Sequence, residues 1–118
     1  MKILVIDDKD YIRVIFSKFL SQFGEVTTAA NGPNGLEVFL HSVGGFDIVF
    51  TDRSMPGMLG EEVVRKIKQL SPKTFVVLMS GDNQSEIERV GKAAGADRIF
   101  FKPFRLEKMK EAVEAASK

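Results

Sequence analysis

Five short apolar runs, each followed by a stretch with helical periodicity, constrain this chain more than any other feature of it. The runs cover residues 2–6, 25–30, 46–51, 74–79 and 98–101. Runs of this length are too short for buried helices and read as strands. Between them, apolar residues recur at spacings of three and four. The first such stripe is Ile12, Ile15, Phe16, Phe19, Leu20 and Phe23, and the second is Leu36, Phe39, Leu40 and Val43. Val63, Ile67 and Leu70 form a third, Ile87, Val90 and Ala94 a shorter fourth, and Leu106, Met109, Val113 and Ala116 a fifth. Each stripe is the inner face expected of an amphipathic helix. The punctuation agrees: Gly24 is placed to end the first helix, Asn31-Gly32-Pro33 to open the second, Gly44-Gly45 to close it, and Ser71-Pro72 to stop the third.

Five β units alternating with five α units imply a parallel sheet covered by helices on both faces. Right-handed crossovers restrict the topology further. At 118 residues, the expectation is one α/β domain over residues 1–118, a doubly wound five-stranded parallel sheet of order 2-1-3-4-5. The strand order follows from size and class; periodicity alone does not show it. Basic and acidic residues number 17 and 16, a net charge of +1, so bulk charge offers no case for nucleic-acid or membrane binding. Cysteine is absent, which excludes disulfides, thiolate metal sites and a cysteine nucleophile. No apolar run approaches the roughly 20 residues that a membrane helix needs. The N-terminus meets two aspartates too early for a signal peptide. A cytoplasmic protein is the expectation.

In doubly wound sheets, ligands bind beyond the carboxyl ends of the strands, at the switch point between strands 1 and 3. Asp7 and Asp8 follow the first strand, Asp52 the third, Ser80 the fourth and Lys102 the fifth. Four strands thus deliver reactive polar residues to one edge, with Asp7, Asp8 and Asp52 expected in a single crevice. Three carboxylates together repel one another unless one stays protonated or a cation joins them. Hard oxygen donors with no His or Cys nearby favour magnesium. With Lys102 and a divalent ion, the formal charge of the group sums to zero. Such a crevice is primed for a phosphoryl group, whose oxygens can meet the metal, the Lys102 ammonium and the Ser80 hydroxyl. The acceptor must be a carboxylate projecting into the crevice, and Asp52 is the central one.

Taken singly, each residue also has a plain structural reading. Asp8 reads as a cap of the first helix, Ser80 as a loop or cap residue, Lys102 as a solvated lysine, and Met55-Pro56-Gly57 as a turn. His41 and Tyr11 fall in helical stretches and are expected at the surface. The joint arrangement at four strand ends is what favours chemistry.

Together, Ile6-Asp7-Asp8, the segment 47–57 with Asp52 and Met55-Pro56-Gly57, Leu78-Met79-Ser80-Gly81, Gly95-Ala96-Asp97 and Lys102-Pro103-Phe104 carry a resemblance. In their order and spacing, over essentially the whole chain, the sequence resembles a response-regulator receiver domain, the phosphoacceptor module of two-component signalling. The resemblance implies a flavodoxin-like (βα)5 fold. It implies that Asp52 accepts a phosphoryl group from a phosphohistidine on a sensor histidine kinase or phosphotransfer protein. It further implies Mg2+ held directly by Asp8, Asp52 and the Ser54 backbone carbonyl, with Asp7 acting largely through water. Ser80 would be the switch hydroxyl, Lys102 the phosphoryl contact, and the Lys102–Pro103 bond cis. Such a domain assists its own phosphorylation and dephosphorylation rather than turning over an external substrate. It presents a switched surface to a downstream partner or output domain that the sequence does not name, and dimerisation on phosphorylation stays open.

Two features bear on how the signal is read. The family usually carries Tyr or Phe three residues before the lysine, and Ile99 stands there. Its β-branch restricts χ1, so a modified readout through the fourth helix, fifth strand and fifth helix is expected. By the same resemblance, Ser54 and Asp82, each two residues beyond Asp52 and Ser80, are expected to border the path of hydrolytic water and to tune phosphate lifetime. Rival readings are a haloacid-dehalogenase-type phosphatase, a flavodoxin-like nucleotide or flavin binder, and a receiver-like interaction module without phosphorylation. The phosphatase would use Asp8 and Asp10, with Ser80-Gly81-Asp82 and Glu86 as its acidic motif. However, Lys102 follows that motif instead of preceding it, and Asp52 is left unexplained. A flavin or nucleotide binder needs a Ser/Thr/Gly-rich phosphate loop where this chain has Asp-Asp-Lys-Asp.

Overall fold

A computed structural model describes residues 1–118. The chain runs β1 (Lys2–Ile6), α1 (Asp10–Leu20), β2 (Glu25–Ala29), α2 (Gly32–His41), β3 (Ile48–Asp52), α3 (Gly60–Leu70), β4 (Phe75–Ser80), α4 (Gln84–Ala94), β5 (Arg98–Phe101) and α5 (Leu106–Ala116). The strands form one sheet of order β2-β1-β3-β4-β5, and every neighbouring pair is parallel. This is the architecture expected from the alternation.

Side chains alternate across the sheet. Leu4, Ile6, Val49, Val76 and Leu78 face one side, where α2, α3 and α4 bury Leu36, Phe39, Val63, Val64, Ile67, Ile87 and Ala94 against them. Ile3, Val5, Ile48, Phe50, Val77 and Met79 face the other, against Phe16 and Leu20 of α1 and Met109, Ala112 and Val113 of α5. Coverage on both faces explains why β1, β3 and β4 read as unbroken apolar runs. Phe104 bridges the second layer, its ring 5.1 Å from that of Phe100 and 5.9 Å from that of Phe16.

Several boundaries differ from the sequence reading. The first helix stops at Leu20, and Gly24 does not cap it. Gly24 serves a close approach instead: a Cβ there would lie 2.2 Å from the Met1 carbonyl oxygen. Ile15, assigned by spacing to the inner face of α1, is 45% exposed. Phe16 and Leu20 carry that face, and Ile15 falls on its flank beside the exposed Tyr11 and Val14. Leu40 and Leu70 likewise end on exposed flanks, and Val43 lies beyond α2 altogether. Spacing places a residue within an arc; the width of the neighbouring layer decides which edge of that arc is covered.

The carboxyl end of β3 is held by α3. The Gly60 N–H donates to the Arg53 carbonyl at 2.8 Å, and a Cβ at Gly60 would stand 2.2 Å from the Asp52 carbonyl oxygen. Backbone meets backbone here, so no side chain can yield. Gly60→Ala is therefore expected to cost about 1–3 kcal/mol by overpacking. Urea unfolding checks this: the midpoint should fall with the slope unchanged.

Candidate functional site

The sheet order sets β1 beside β3, and β4 and β5 follow. Asp52 is the last residue of β3 and Ser80 the last of β4. Both were expected just past the strand ends, and each is one residue further into the ladder. Asp52 is in register with Met79, and Ser80 with Phe101. Main-chain pairing therefore fixes their Cα positions. Asp7 and Asp8 follow β1, and Lys102 follows β5, where its N–H donates to the Ser80 carbonyl at 2.8 Å.

One carboxylate oxygen each from Asp7, Asp8 and Asp52 lies within 4.8 Å of the others. Asp7 is fully buried and Asp52 is 2% exposed, whereas Asp8 stands at the mouth. The Lys102 ammonium donates to Asp52 Oδ1 at 2.8 Å and lies 3.8 Å from Asp7 Oδ2. Asp7 Oδ1 accepts the Lys9 N–H at 2.9 Å. Asp7 Oδ2, by contrast, is buried without a hydrogen-bond partner. Burial raises the Asp7 carboxyl above its usual range; the Lys9 N–H opposes this, and the nearby Asp52 charge adds to it.

That orphaned oxygen, facing two further carboxylates, is a test of whether the residues suit a metal ion. An unpaired buried acceptor is costly, and a divalent cation among the three acids would satisfy it, directly or through a bound water. The donors are all hard carboxylate oxygens, with no sulfur or imidazole among them. The group could hold a metal ion.

The structure also corrects and extends the reading of individual residues. Asp8 does not cap α1: the helix opens at Lys9 with no side-chain cap. Ser54 lies in the exposed loop after β3, and its hydroxyl donates to Asp82 Oδ2 at 3.1 Å. Asp82 and Glu86, the acids a phosphatase of the haloacid-dehalogenase type would send to Asp8, instead contact Arg53 at 3.0 and 3.8 Å. The Lys102–Pro103 bond is cis. Ile99 is half-buried between β5 and α4, packed so closely on Gly91 that a Cβ at Gly91 would lie 2.7 Å from its Cδ1. His41 and Tyr11 are exposed, as expected.

Sequence reading gave no role to Arg13, Arg53 or Glu61. Half-buried on the flank of α1, Arg13 donates to the Asp7 carbonyl at 2.7 Å and pairs with Asp10, which braces the turn bearing Asp7 and Asp8. Arg53 makes a two-pronged pair with the buried Glu61, at 3.1 and 3.2 Å. The available signal was weak: an acid in the first turn of α3, where the helix dipole favours one anyway.

Residues 3–114 match the family model described as the response regulator receiver domain. A probable chemotaxis protein CheY of Rhizobium etli is 30% identical over 98% of this chain and 91% of its own length. Sporulation initiation phosphotransferase F of Bacillus subtilis is 30% identical over 96% of this chain and 90% of its own. A solved receiver-domain structure from Clostridium thermocellum superposes with a TM-score of 0.90 at 30% identity, covering 98% of this chain and 92% of that one. The chain belongs to the response-regulator receiver domain family, the signalling domains of two-component systems, and shares their flavodoxin-like fold.

Asp7 generates a prediction for the metal-free protein. A folded-state pKa above the unfolded one means the native state holds its proton longer as pH rises. Stability then falls with rising pH from the ordinary carboxylate range upward, and at neutral pH the ionised Asp7 opposes folding. Asp7→Asn keeps an acceptor for the Lys9 N–H and removes the charge. Without divalent metal at neutral pH, it should raise the thermal midpoint, and the gain should shrink as the pH is lowered through the carboxylate range. Calorimetry in the presence of chelator measures both.

Proposed function

We propose that Asp52 accepts a phosphoryl group from a phosphohistidine on a sensor histidine kinase or phosphotransfer protein, in a magnesium-dependent reaction. The observation that carries this reading is the buried Asp52 carboxylate, held by Lys102 at 2.8 Å within a three-acid group at the switch point. In the step itself, an Asp52 carboxylate oxygen attacks phosphorus as the bond from phosphorus to the donor's imidazole nitrogen breaks. The electron pair leaves with the imidazole, and Asp52 becomes an acyl phosphate. Water attacking phosphorus later breaks the new P–O bond, releases inorganic phosphate and restores the carboxylate.

Each residue has work in that sequence. Lys102 covers Asp52 at rest, so it must move from the carboxylate to the incoming phosphoryl oxygens, and its side chain, 27% exposed, has room to do so. Ser80, at 1% exposure on the neighbouring strand end, supplies a hydroxyl that can donate to the same oxygens. Asp8, Asp52 and the Ser54 backbone carbonyl would hold Mg2+ directly, with Asp7 acting largely through water. When bound, the ion offsets the charge gathered by three acids and a phosphoryl group. Ser54 and Asp82 flank the approach of hydrolytic water and are assigned a part in setting the lifetime of the adduct.

On this reading residues 1–118 form one receiver unit that assists its own phosphorylation and turns over no external substrate. Its surface switches for a downstream partner or output domain, and a cytoplasmic setting goes with the kinase partner. The phosphatase alternative loses its acids to Arg53, because Asp82 and Glu86 are already engaged there.

Acetyl phosphate with magnesium, followed by intact mass, tests the proposal. The wild type should gain a single phosphoryl group, chelation should abolish the gain, and Asp52→Asn should show none. An adduct that persists in Asp52→Asn, or forms equally in chelator, contradicts the assignment.

A further inference from the structure

The Ser80 turn is fastened to the strand that carries Asp52 by contacts outside the acid group. Ser80 Oγ accepts the Asp82 N–H at 3.0 Å. The Asp82 carboxylate in turn accepts from Arg53 Nη1 at 3.0 Å and from the Ser54 hydroxyl at 3.1 Å. These donors hold the Asp82 carboxyl below its usual range, with the Arg53 hydrogen bond the largest cause. Arg53 itself is anchored on every side. Its N–H donates to Met79 on β4 at 2.8 Å, and its carbonyl accepts from Gly60 on α3 at 2.8 Å. Its guanidinium is forked onto Glu61, which is 8% exposed.

An isolated surface ion pair is worth little, because two long side chains must be ordered to form it. Here the ordering is already done. Glu61 holds the guanidinium in place through two parallel bonds, and the Arg53 side chain is only 16% exposed. Asp82 therefore docks on a fixed, partly buried cation. Its attachment matters to Ser80 because any rotation that carries Oγ off the Asp82 N–H gives up this bond. Breaking this bond strands a backbone donor unless the turn shifts, and the turn cannot shift while Arg53 and Ser54 grip the Asp82 carboxylate.

We infer that Arg53 is a positioning residue: it bolts the Ser80–Asp82 turn in its resting place, and Ser80 reaches a phosphoryl group on Asp52 when the Arg53–Asp82 pair opens. This deepens the reading of Asp52 as acceptor and rests on it. The bolt joins three elements that the sheet alone leaves independent: the end of β3, the start of α3 and the turn before α4. It converts a rotation of one hydroxyl into a displacement of the segment leading into α4.

Two measurements test it, the first independent of phosphorylation. In the unmodified protein, amide exchange at Asp82 and over the first turn of α4 should quicken about three- to tenfold in Asp82→Ala, the scale of one charge-assisted contact on a preordered partner. Adduct formation with acetyl phosphate and magnesium should quicken in the same variant. The discriminating arm is the cycle with Arg53→Met, run in Ser54→Ala so that Arg53 is the one side-chain donor left on the Asp82 carboxylate; once Arg53→Met is added there, Asp82→Ala should have no further effect. If Asp82 acted only through the dipole of α4, its effect would persist in that background, and the bolt would be overturned. Should Arg53→Met fail to fold with Glu61 unpaired, Arg53→Lys keeps a cation there but cannot span both acids, and it completes the same cycle. An adduct on the wild type together with unchanged exchange and rate in Asp82→Ala overturns the bolt alone. No adduct on the wild type refutes the acceptor reading beneath it.

Discussion

Three carboxylates confined within 4.8 Å, with the Lys102 ammonium on Asp52 and the Lys9 ammonium on Asp8 at the rim, are the constraint on which the rest of this molecule turns. Such a group opposes folding, since like charges are brought together and one of them, Asp7, is wholly removed from water. It persists because the scaffold beneath it is over-determined. Ile3, Leu4, Val5 and Ile6 on β1, and Ile48, Val49 and Phe50 on β3, have no exposed surface. The ladder between these strands fixes Asp7 and Asp52 on adjacent tracks. Local charge repulsion is thus held against a core that cannot relax around it. The charge concentrated at the strand ends is what the proposed cation and phosphoryl transfer would draw on.

Much of this was legible in the sequence, and for a definite reason. A strand buried on both faces must be apolar throughout, so β1, β3 and β4 announced themselves. A polar residue directly after such a run, like Asp7, Asp52 or Lys102, has few places to go except the sheet edge. Flanks and partners were less legible. Ile15, Leu40 and Leu70 satisfy helical spacing yet stand exposed, because spacing says nothing about how far the neighbouring layer extends. Arg53, Glu61 and Arg13 were missed because charged residues near helix starts are ordinary. Only the fold brings Glu61 beneath Arg53, or Arg13 under the Asp7 carbonyl. That Asp82 and Glu86 turn to Arg53 was hidden for the same reason.

One position bears on how a signal would be read out. Ile99 occupies the usual aromatic position and fills the contact between β5 and α4, matched by the absence of a side chain at Gly91. A β-branched side chain packed on a backbone has little freedom to swing. On the proposed role of Ser80, a motion started there has a more direct outlet through its own turn, where Asp82 links it to Arg53 and so to α3. The two features complement each other, with one path stiffened by Ile99 and Gly91 and another formed by a charge-assisted clasp.

The most direct test of the central claim is the location of the covalent bond. An acyl phosphate is reduced by borohydride, and the aspartate that carried it becomes homoserine, which marks its position permanently. After reaction with acetyl phosphate and magnesium, reduction and peptide sequencing by mass spectrometry, homoserine is expected at residue 52 and nowhere else. Homoserine at residue 7 or 8, or its absence from a protein that has taken up phosphate, would contradict it.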